Sequence, residues 1–332
     1  MKDEVFVSVI VPVRNEERYI VQCLESIEKQ TYSKELMEIM IIDGMSIDRT
    51  REYYQEYKSK TKIKNLNWYK NVKKTAPCAM NIGIKKSKGD VIIRLDAHSS
   101  YEDDYIEKCV QVLRETGAAN VGGIAKTQGN GNYISEVIAI LMSSKFGVGN
   151  SSFRTNGSSG YVDTVPFGAF RRDIFDKVGV YDERLVRNQD IELNYRIRKS
   201  GEKVYLSSNI NLTYYSRDTF FALCHMAYNN GLWNIITQKL CPGSLGARHF
   251  IPLFFVLSII VGISGILCDV ELISSVFLGE LVAYFSLSVF FAIKDGWKKG
   301  MKYCFPLMIM FFGFHVSYGV GSLVGLVEKR KF

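Results

Sequence analysis

The stretch DVIIRLDAH, residues 90–98, sets a charge-free β-branched run against an aspartate and a histidine two positions apart. A buried strand ending on Asp96-Ala97-His98 delivers two polar side chains to the carboxyl edge of a sheet. In an open parallel sheet, that edge is where ligands bind. Carboxylate and imidazole at i and i+2 after a strand can lean toward one ion, and the pair suits Mn²⁺ as well as Mg²⁺. Such an ion would clamp a diphosphate. A local role also fits: Asp96 as the cap of a helix beginning near Tyr101, and His98 as a loop residue.

Working outward, FVSVIVPV (6–13), MEIMIID (37–43) and LNWYK (66–70) are further short strand-like runs, separated by helical periods. Ile20, Cys23, Leu24 and Ile27 share one helical face, and further helices are expected from about Asp48 and from about Pro77. This alternation predicts an α/β domain with a mostly parallel sheet covered on both faces. The other strand ends read Pro12-Val13-Arg14-Asn15-Glu16 and Asp43-Gly44-Met45-Ser46-Ile47-Asp48. Neither GxGxxG nor GxxxxGK[ST] occurs, which leaves an ion rather than a glycine cradle as the phosphate binder.

The 332 residues are 47% hydrophobic and carry a formal net charge of +8. The basic residues are scattered among acids rather than gathered in a stripe, which points away from nucleic acid and toward an anionic membrane surface. Seven dispersed cysteines without a CxxC read as a reducing compartment, with neither a disulfide framework nor a zinc site. Val5–Val13 reads as a strand rather than a signal peptide.

Composition changes near residue 250. Three long apolar stretches follow, Phe250–Cys268, Leu272–Ile293 and Tyr303–Val327, with only Glu280 well inside one of them. A helix of about 19 residues spans about 28 Å, close to the hydrocarbon thickness of a bilayer. Lys239, Arg248, Lys294, Lys298, Lys299 and Lys302 flank these stretches on one side, so the expected location is the cell membrane, multi-pass, with the catalytic domain cytoplasmic. Three crossings would then put Glu328-Lys329-Arg330-Lys331 outside, against that rule. Either the last stretch, with Gly313, Gly319, Gly321 and Gly325, folds back, or the charge bias is overridden. Before the first stretch, RDTFFALCHMAYNNGLWNIITQKL carries Phe220, Phe221, Leu223, Cys224, Ala227, Tyr228 and Ile235 on one side and His225, Asn229 and Gln238 on the other, the pattern of an interfacial helix in contact with membrane lipids. The expected organisation is a catalytic domain over 1–215, an interfacial helix and linker over 216–245, and a membrane region over 246–332 with two to three crossings.

VSVIVPVRNEERYIVQCLESIEKQTY, IIDGMSIDRTRE, NIGIKKSKGDVIIRLDAH and VDTVPFGAFRRDIFDKVGVYDERLVRNQDIELNYRIRKSG together resemble glycosyltransferase family 2, in the branch of the succinoglycan-biosynthesis enzymes. The resemblance covers residues 5 to about 215. It implies a GT-A fold, a Rossmann-like nucleotide-diphospho-sugar transferase domain, and an inverting enzyme of polysaccharide synthesis. Such an enzyme moves a sugar from a nucleoside diphosphate sugar, UDP-linked in many members, to a hydroxyl of a lipid-linked or glycan acceptor with Mn²⁺ or Mg²⁺. By the same resemblance Pro12, Arg14, Glu16, Asp43, Asn81 and Asp96 contact the nucleotide, and Asp96 and His98 hold the metal in a DxD-type motif whose second acid is a histidine here. Gly44 and Met45 stand where many members have Asp-Gly.

Inversion needs a base to take the acceptor proton. The QD of RNQDIELNYRIRKSG aligns with the family's Glu-Asp pair, which puts Asp190 on the catalytic acid; Glu192 is the other candidate. Gly168 in PFGAFRR would allow close approach on the acceptor side. Processive relatives carry Gln-x-x-Arg-Trp where this chain has Asn229-Asn230-Gly231-Leu232-Trp233, which favours single addition. Two other classes remain: a non-catalytic nucleotide-sugar-binding scaffold, against which Asp190 argues, and a nucleotidyltransferase, against which the glycine-free VPVRNEE argues.

Overall fold

A computed structural model describes residues 4–155 and 157–328. Strands β1 (Val7–Val13), β2 (Met37–Asp43), β3 (Leu66–Lys70) and β4 (Val91–Arg94) pair in parallel in the order β3-β2-β1-β4. Helices α1 (Ile20–Glu28), α2 (Thr50–Lys60) and α3 (Ala76–Lys86) connect them. Every residue of β2 is buried, as a strand covered on both faces requires. Ile20, Cys23, Leu24 and Ile27 of α1 are buried together, on the face read from the sequence.

Beyond β4 the sheet changes character. The remaining strands are β5 (Ser99–Tyr101), β6 (Asn120–Gln128), β7 (Gly160–Tyr161), β8 (Ala169–Arg171) and β9 (Val204–Tyr215). They extend the nine-stranded sheet as β4-β8-β6-β9-β5, with β7 on β9, and β8 pairs antiparallel to both β4 and β6. The expectation of a mostly parallel sheet holds for four strands and fails for the other five. Three of those five have only two or three residues, too few for a period to register. Helix α4 (Tyr105–Thr116) starts later than expected, because Tyr101 ends β5. Asp104 rather than Asp96 holds its N-cap position, so the capping role considered for Asp96 does not arise.

The described chain divides into two compact units. One takes the chain as far as Lys126 and again up to Tyr214; the other takes Thr127–Thr155 and everything from Tyr215 onward. The first contains the body of the sheet, with α7 (Asp173–Val178) and α8 (Gln189–Lys199). The second contains α5 (Tyr133–Ser143), α6 (Lys145–Val148), α9 (Phe220–Leu240), α10 (Ile251–Leu267), α11 (Glu271–Gly296) and α12 (Cys304–Val327). Its core joins Val137, Ile138 and Leu141 of α5 to Leu223 and Ala227 of α9, Ala292 of α11 and Phe311 of α12. The three apolar stretches are three long helices, Ala247–Leu267, Glu271–Gly296 and Met301–Val327, each long and apolar enough to cross a membrane. Burial on α9 is not confined to the face read from the sequence, and Phe221 of that face is exposed. Gly231, Trp233, Asn234, Ile236 and Thr237 are buried as well, because α9 packs along α12.

Candidate active site

The loops that follow β1 and β2 are laced together by side chains. Asn15, at φ 56°, donates its N–H to Ser46 Oγ at 2.9 Å and accepts from Ile47 N–H at 3.0 Å. Glu16 N–H donates to Thr50 Oγ1 at 2.8 Å, and Glu17 N–H to Asp48 Oδ2 at 3.1 Å. Asp43, buried at the end of β2, accepts from Ser46 N–H at 3.0 Å and Ser46 Oγ at 2.6 Å, two bonds that fix its carboxylate. Exposed Arg14 lies across Gly44: a Cβ on Gly44 would stand 3.3 Å from Arg14 Cβ and Cδ. A glycine at position 44 therefore makes room for that cation. Pro12, paired in register with Ile42 of β2, leads into this edge.

Asp96 and His98 sit on the next loop. Arg94, at the end of β4, donates from Nε to Asp96 Oδ1 at 2.9 Å and from Nη2 to Oδ2 at 3.3 Å. Both side chains are largely buried, at 12% and 15% exposed. Asp96 N–H donates to the buried Tyr101 hydroxyl at 2.7 Å. His98 Nδ1 lies 3.3 Å from Glu16 Oε1, and its ring meets Tyr214 edge-on at 5.6 Å. Burial, with Asp96 and then Glu16 facing it, pushes the Cys23 thiol up to about 12, so the two carboxylates act on one point behind the loop. The structure thus brings Glu16, Asp96 and His98 to one edge. Among the described residues no group of three or more His, Cys, Asp or Glu side chains forms a closed metal set. One carboxylate and one imidazole fit an ion that completes its shell with phosphate oxygens and water.

Asp190 stands in the first turn of α8, its Oδ1 accepting from Ile191 N–H at 3.1 Å. Its charge also acts on Arg94. Burial opposes the Arg94 charge, but Asp96, Tyr181 and Asp190 around it outweigh that and hold its pKa above the ordinary value. The Tyr181 hydroxyl is pushed up by burial and, beyond that, by Asp190 and Asp96, against the lowering effect of Arg94. Arg94, Tyr181, Asp96 and Asp190 therefore form one electrostatic cluster. Glu192 is used differently: 5% exposed, it takes Arg196 Nε at 2.6 Å and Nη2 at 2.8 Å, and Arg196 also binds the carbonyl of Val180 at 2.8 Å and that of Val178. Asn81 commits both ends of its amide to the loop before α8. Its Nδ2 donates to Tyr181 O at 2.9 Å and Glu183 Oε1 at 3.1 Å, and its Oδ1 accepts from Tyr181 N–H at 3.0 Å. It thus shapes the cluster through Tyr181. Gln189 is buried beside Asp190, with an Oε1 that has no partner. Gly168 lies against Asn120, whose Oδ1 a Cβ would meet at 2.3 Å.

Sequence reasoning missed Arg94, Tyr101 and Tyr181. The available signal was a charged residue closing a buried apolar strand, a placement that needs a partner. Removing one partner of a largely buried pair leaves the other charge unmatched, so Arg94→Met is expected to cost about 3 kcal/mol. A thermal-denaturation midpoint equal to that of the unaltered protein contradicts the pairing.

Residues 8–179 match the family described as Glycosyl transferase family 2. The chain belongs to that family. It is 29% identical over 321 residues to the dolichyl N-acetyl-alpha-D-glucosaminyl phosphate 3-beta-D-2,3-diacetamido-2,3-dideoxy-beta-D-glucuronosyltransferase of Methanococcus voltae, covering 95% of each chain. It is 28% identical over 250 residues to the succinoglycan biosynthesis protein ExoA of Rhizobium meliloti, covering 74% of each. Among solved structures, the mannosyltransferase PcManGT of Pyrobaculum calidifontis, in complex with GDP-Man and Mn²⁺, superposes with a TM-score of 0.60 at 14% identity over 96% of this chain and 87% of that one. The fold of this family member is GT-A, followed by three long apolar helices.

Proposed function

We propose that this glycosyltransferase inverts the anomeric centre. It would transfer a sugar from a nucleoside diphosphate donor, UDP-linked as the family motifs imply, to a hydroxyl of a lipid-linked acceptor. The observation that carries the reading is that Asp96, bound by the buried Arg94 guanidinium at 2.9 Å, and Asp190, in the first turn of α8, both act on that one cation at the end of β4. Asp96 serves the donor side. Asp190 takes the acceptor proton as the hydroxyl oxygen attacks the anomeric carbon and the bond to the diphosphate breaks. Glu192, bound on both oxygens by Arg196, is a strut rather than a base.

Asp43 and Arg14 line the nucleotide side, with Glu16 reaching toward His98. Asp96 and His98 would hold Mn²⁺ or Mg²⁺, which when bound supplies positive charge to the departing diphosphate. Chelation with EDTA is expected to abolish turnover, and added Mn²⁺ to restore it; full turnover in EDTA contradicts the assignment. The three long apolar helices and the acceptor named for the Methanococcus relative support a lipid-linked acceptor. The basic residues flanking those helices support a catalytic unit on the cytoplasmic face. Incubating detergent-purified protein with UDP-, GDP- and dTDP-sugars, and recording which is hydrolysed and with what anomeric outcome, tests donor and stereochemistry together. Retention of configuration, or no hydrolysis of any of them, contradicts the proposal.

A further inference from the structure

Helices α10 and α11 form an antiparallel hairpin. Gly262 packs against Phe277 and Gly265 against Ile273, while Ser258 hydrogen-bonds Glu280 at 2.7 Å. Away from that seam, and from the side where Pro252, Val256, Tyr284 and Ala292 meet α12 and its surroundings, the hairpin is exposed: Phe254, Ile260, Val261, Val276, Val282 and Phe290 all face outward. Such a surface suits lipid on every free side. Helix α12 is different: Leu307, Met310, Phe311 and Phe314 are buried along it with Gly319, Gly321 and Gly325, a larger share than in α10 or α11.

Three contacts fix where α12 lies. The Lys239 amine, at the end of α9, caps the last turn of α12 on the carbonyls of Gly325 at 2.8 Å and Leu326 at 2.9 Å. The middle of α12 rests on the first turn of α10: a Cβ on Gly319 would stand 2.1 Å from Pro252 O. The first half of α12 follows α5 and α6. Tyr303 stacks on Tyr133 at 5.3 Å, and His315 Nε2 lies 3.0 Å from the Phe146 carbonyl. Helix α5 has 11 residues, about 16 Å, too short to span a bilayer.

We propose that the α10–α11 hairpin alone crosses the membrane, and that α9 and α12 lie as one packed pair on the leaflet from which the hairpin enters. The argument is one of parity. Two crossings return the chain to its starting side, where α12 begins. The segment 241–250 between α9 and α10 contains Arg248 and His249 and turns on itself through Ser244 N–H to Cys241 O and His249 N–H to Gly246 O, so it crosses nothing. The end of α9 is thus on the side where α10 starts, and Lys239 ties the end of α12 to it. Both ends of α12 are on one side. Phe305, Ile309, Val320 and Val327, exposed on one stripe of α12, continue the apolar surface of the hairpin into the acyl boundary of that leaflet.

The test uses full-length protein in membrane vesicles of both orientations and a membrane-impermeant maleimide, with Cys224, Cys241 and Cys304 replaced by serine. Native Cys268, exposed at the hairpin tip, reports one side. Glu328→Cys in a Cys268→Ser background reports the end of α12. Labelling of the two from opposite sides is the expected result, and labelling from the same side overturns the proposal. A protease-cleavable tag fused after Phe332 gives a second readout with the same two outcomes. Neither readout requires glycosyl transfer, so the topology stands or falls separately from the assigned reaction.

Discussion

Asp190→Asn is expected to lower kcat by about 10²- to 10⁴-fold while leaving UDP affinity nearly unchanged, the signature of a lost general base. The side chain keeps its size and its place in the first turn of α8, and its amide oxygen can still accept from Ile191 N–H. What is lost is the charge. Glu192→Gln is the discriminating control. It weakens a carboxylate that binds Arg196 and, through it, the Val178 and Val180 carbonyls, so its effect should appear in thermal stability before chemistry. Transfer abolished by Glu192→Gln in a fully folded protein, with Asp190→Asn still active, would reverse the two roles. Asp96→Asn belongs to the donor side and should raise the metal and nucleotide concentrations needed for half-maximal rate.

The largest stability effect is expected at Gly321. A Cβ there would lie 1.9 Å from Tyr228 O, and one on Gly231 would lie 1.9 Å from Tyr318 O, so α9 and α12 touch backbone to backbone from both sides. No rotamer change relieves a contact with a carbonyl of the facing helix. Gly321→Leu should cost about 3 kcal/mol or more, beyond the usual range of overpacking, and separate the two helices. Gly279→Leu, on α11 with open space around it, should stay within about 0.5 kcal/mol. Thermal midpoints in detergent compare the two; equal midpoints would mean the close approach is not maintained in solution.

The parallel half of the sheet was legible because β1, β2 and β4 are dominated by apolar, largely β-branched residues and α1 shows its period in four residues. The antiparallel half was not, since β5, β7 and β8 form through partners distant in sequence rather than through a local pattern. Within the candidate site, Asp96, His98 and Asp190 were singled out from strand ends and motif order. The use of Arg94 depends on what surrounds it in space, and a sequence does not give that. In the apolar helices, composition gives length and hydropathy but not whether a face meets lipid or protein. One local clue existed: Gly313, Ser317, Gly321 and Gly325 recur every four residues, the spacing of a close helix contact. Lys329, Arg330 and Lys331, on which the orientation conflict turned, lie outside the described residues.

The grouping of Thr127–Thr155 with the C-terminal helices bears on how members of this family can be recombined. A chimera joined once, near residue 215, would bring in a foreign α5 and α6. They would face a resident α12 that had lost its matched Tyr133–Tyr303 stack, its Lys299–Glu136 pair and the His315 contact with Phe146. Donor and acceptor specificity should exchange cleanly only when the resident 127–155 insert is kept, which takes three junctions instead of one. The transplantable cassette is discontinuous in the gene although it is compact in space.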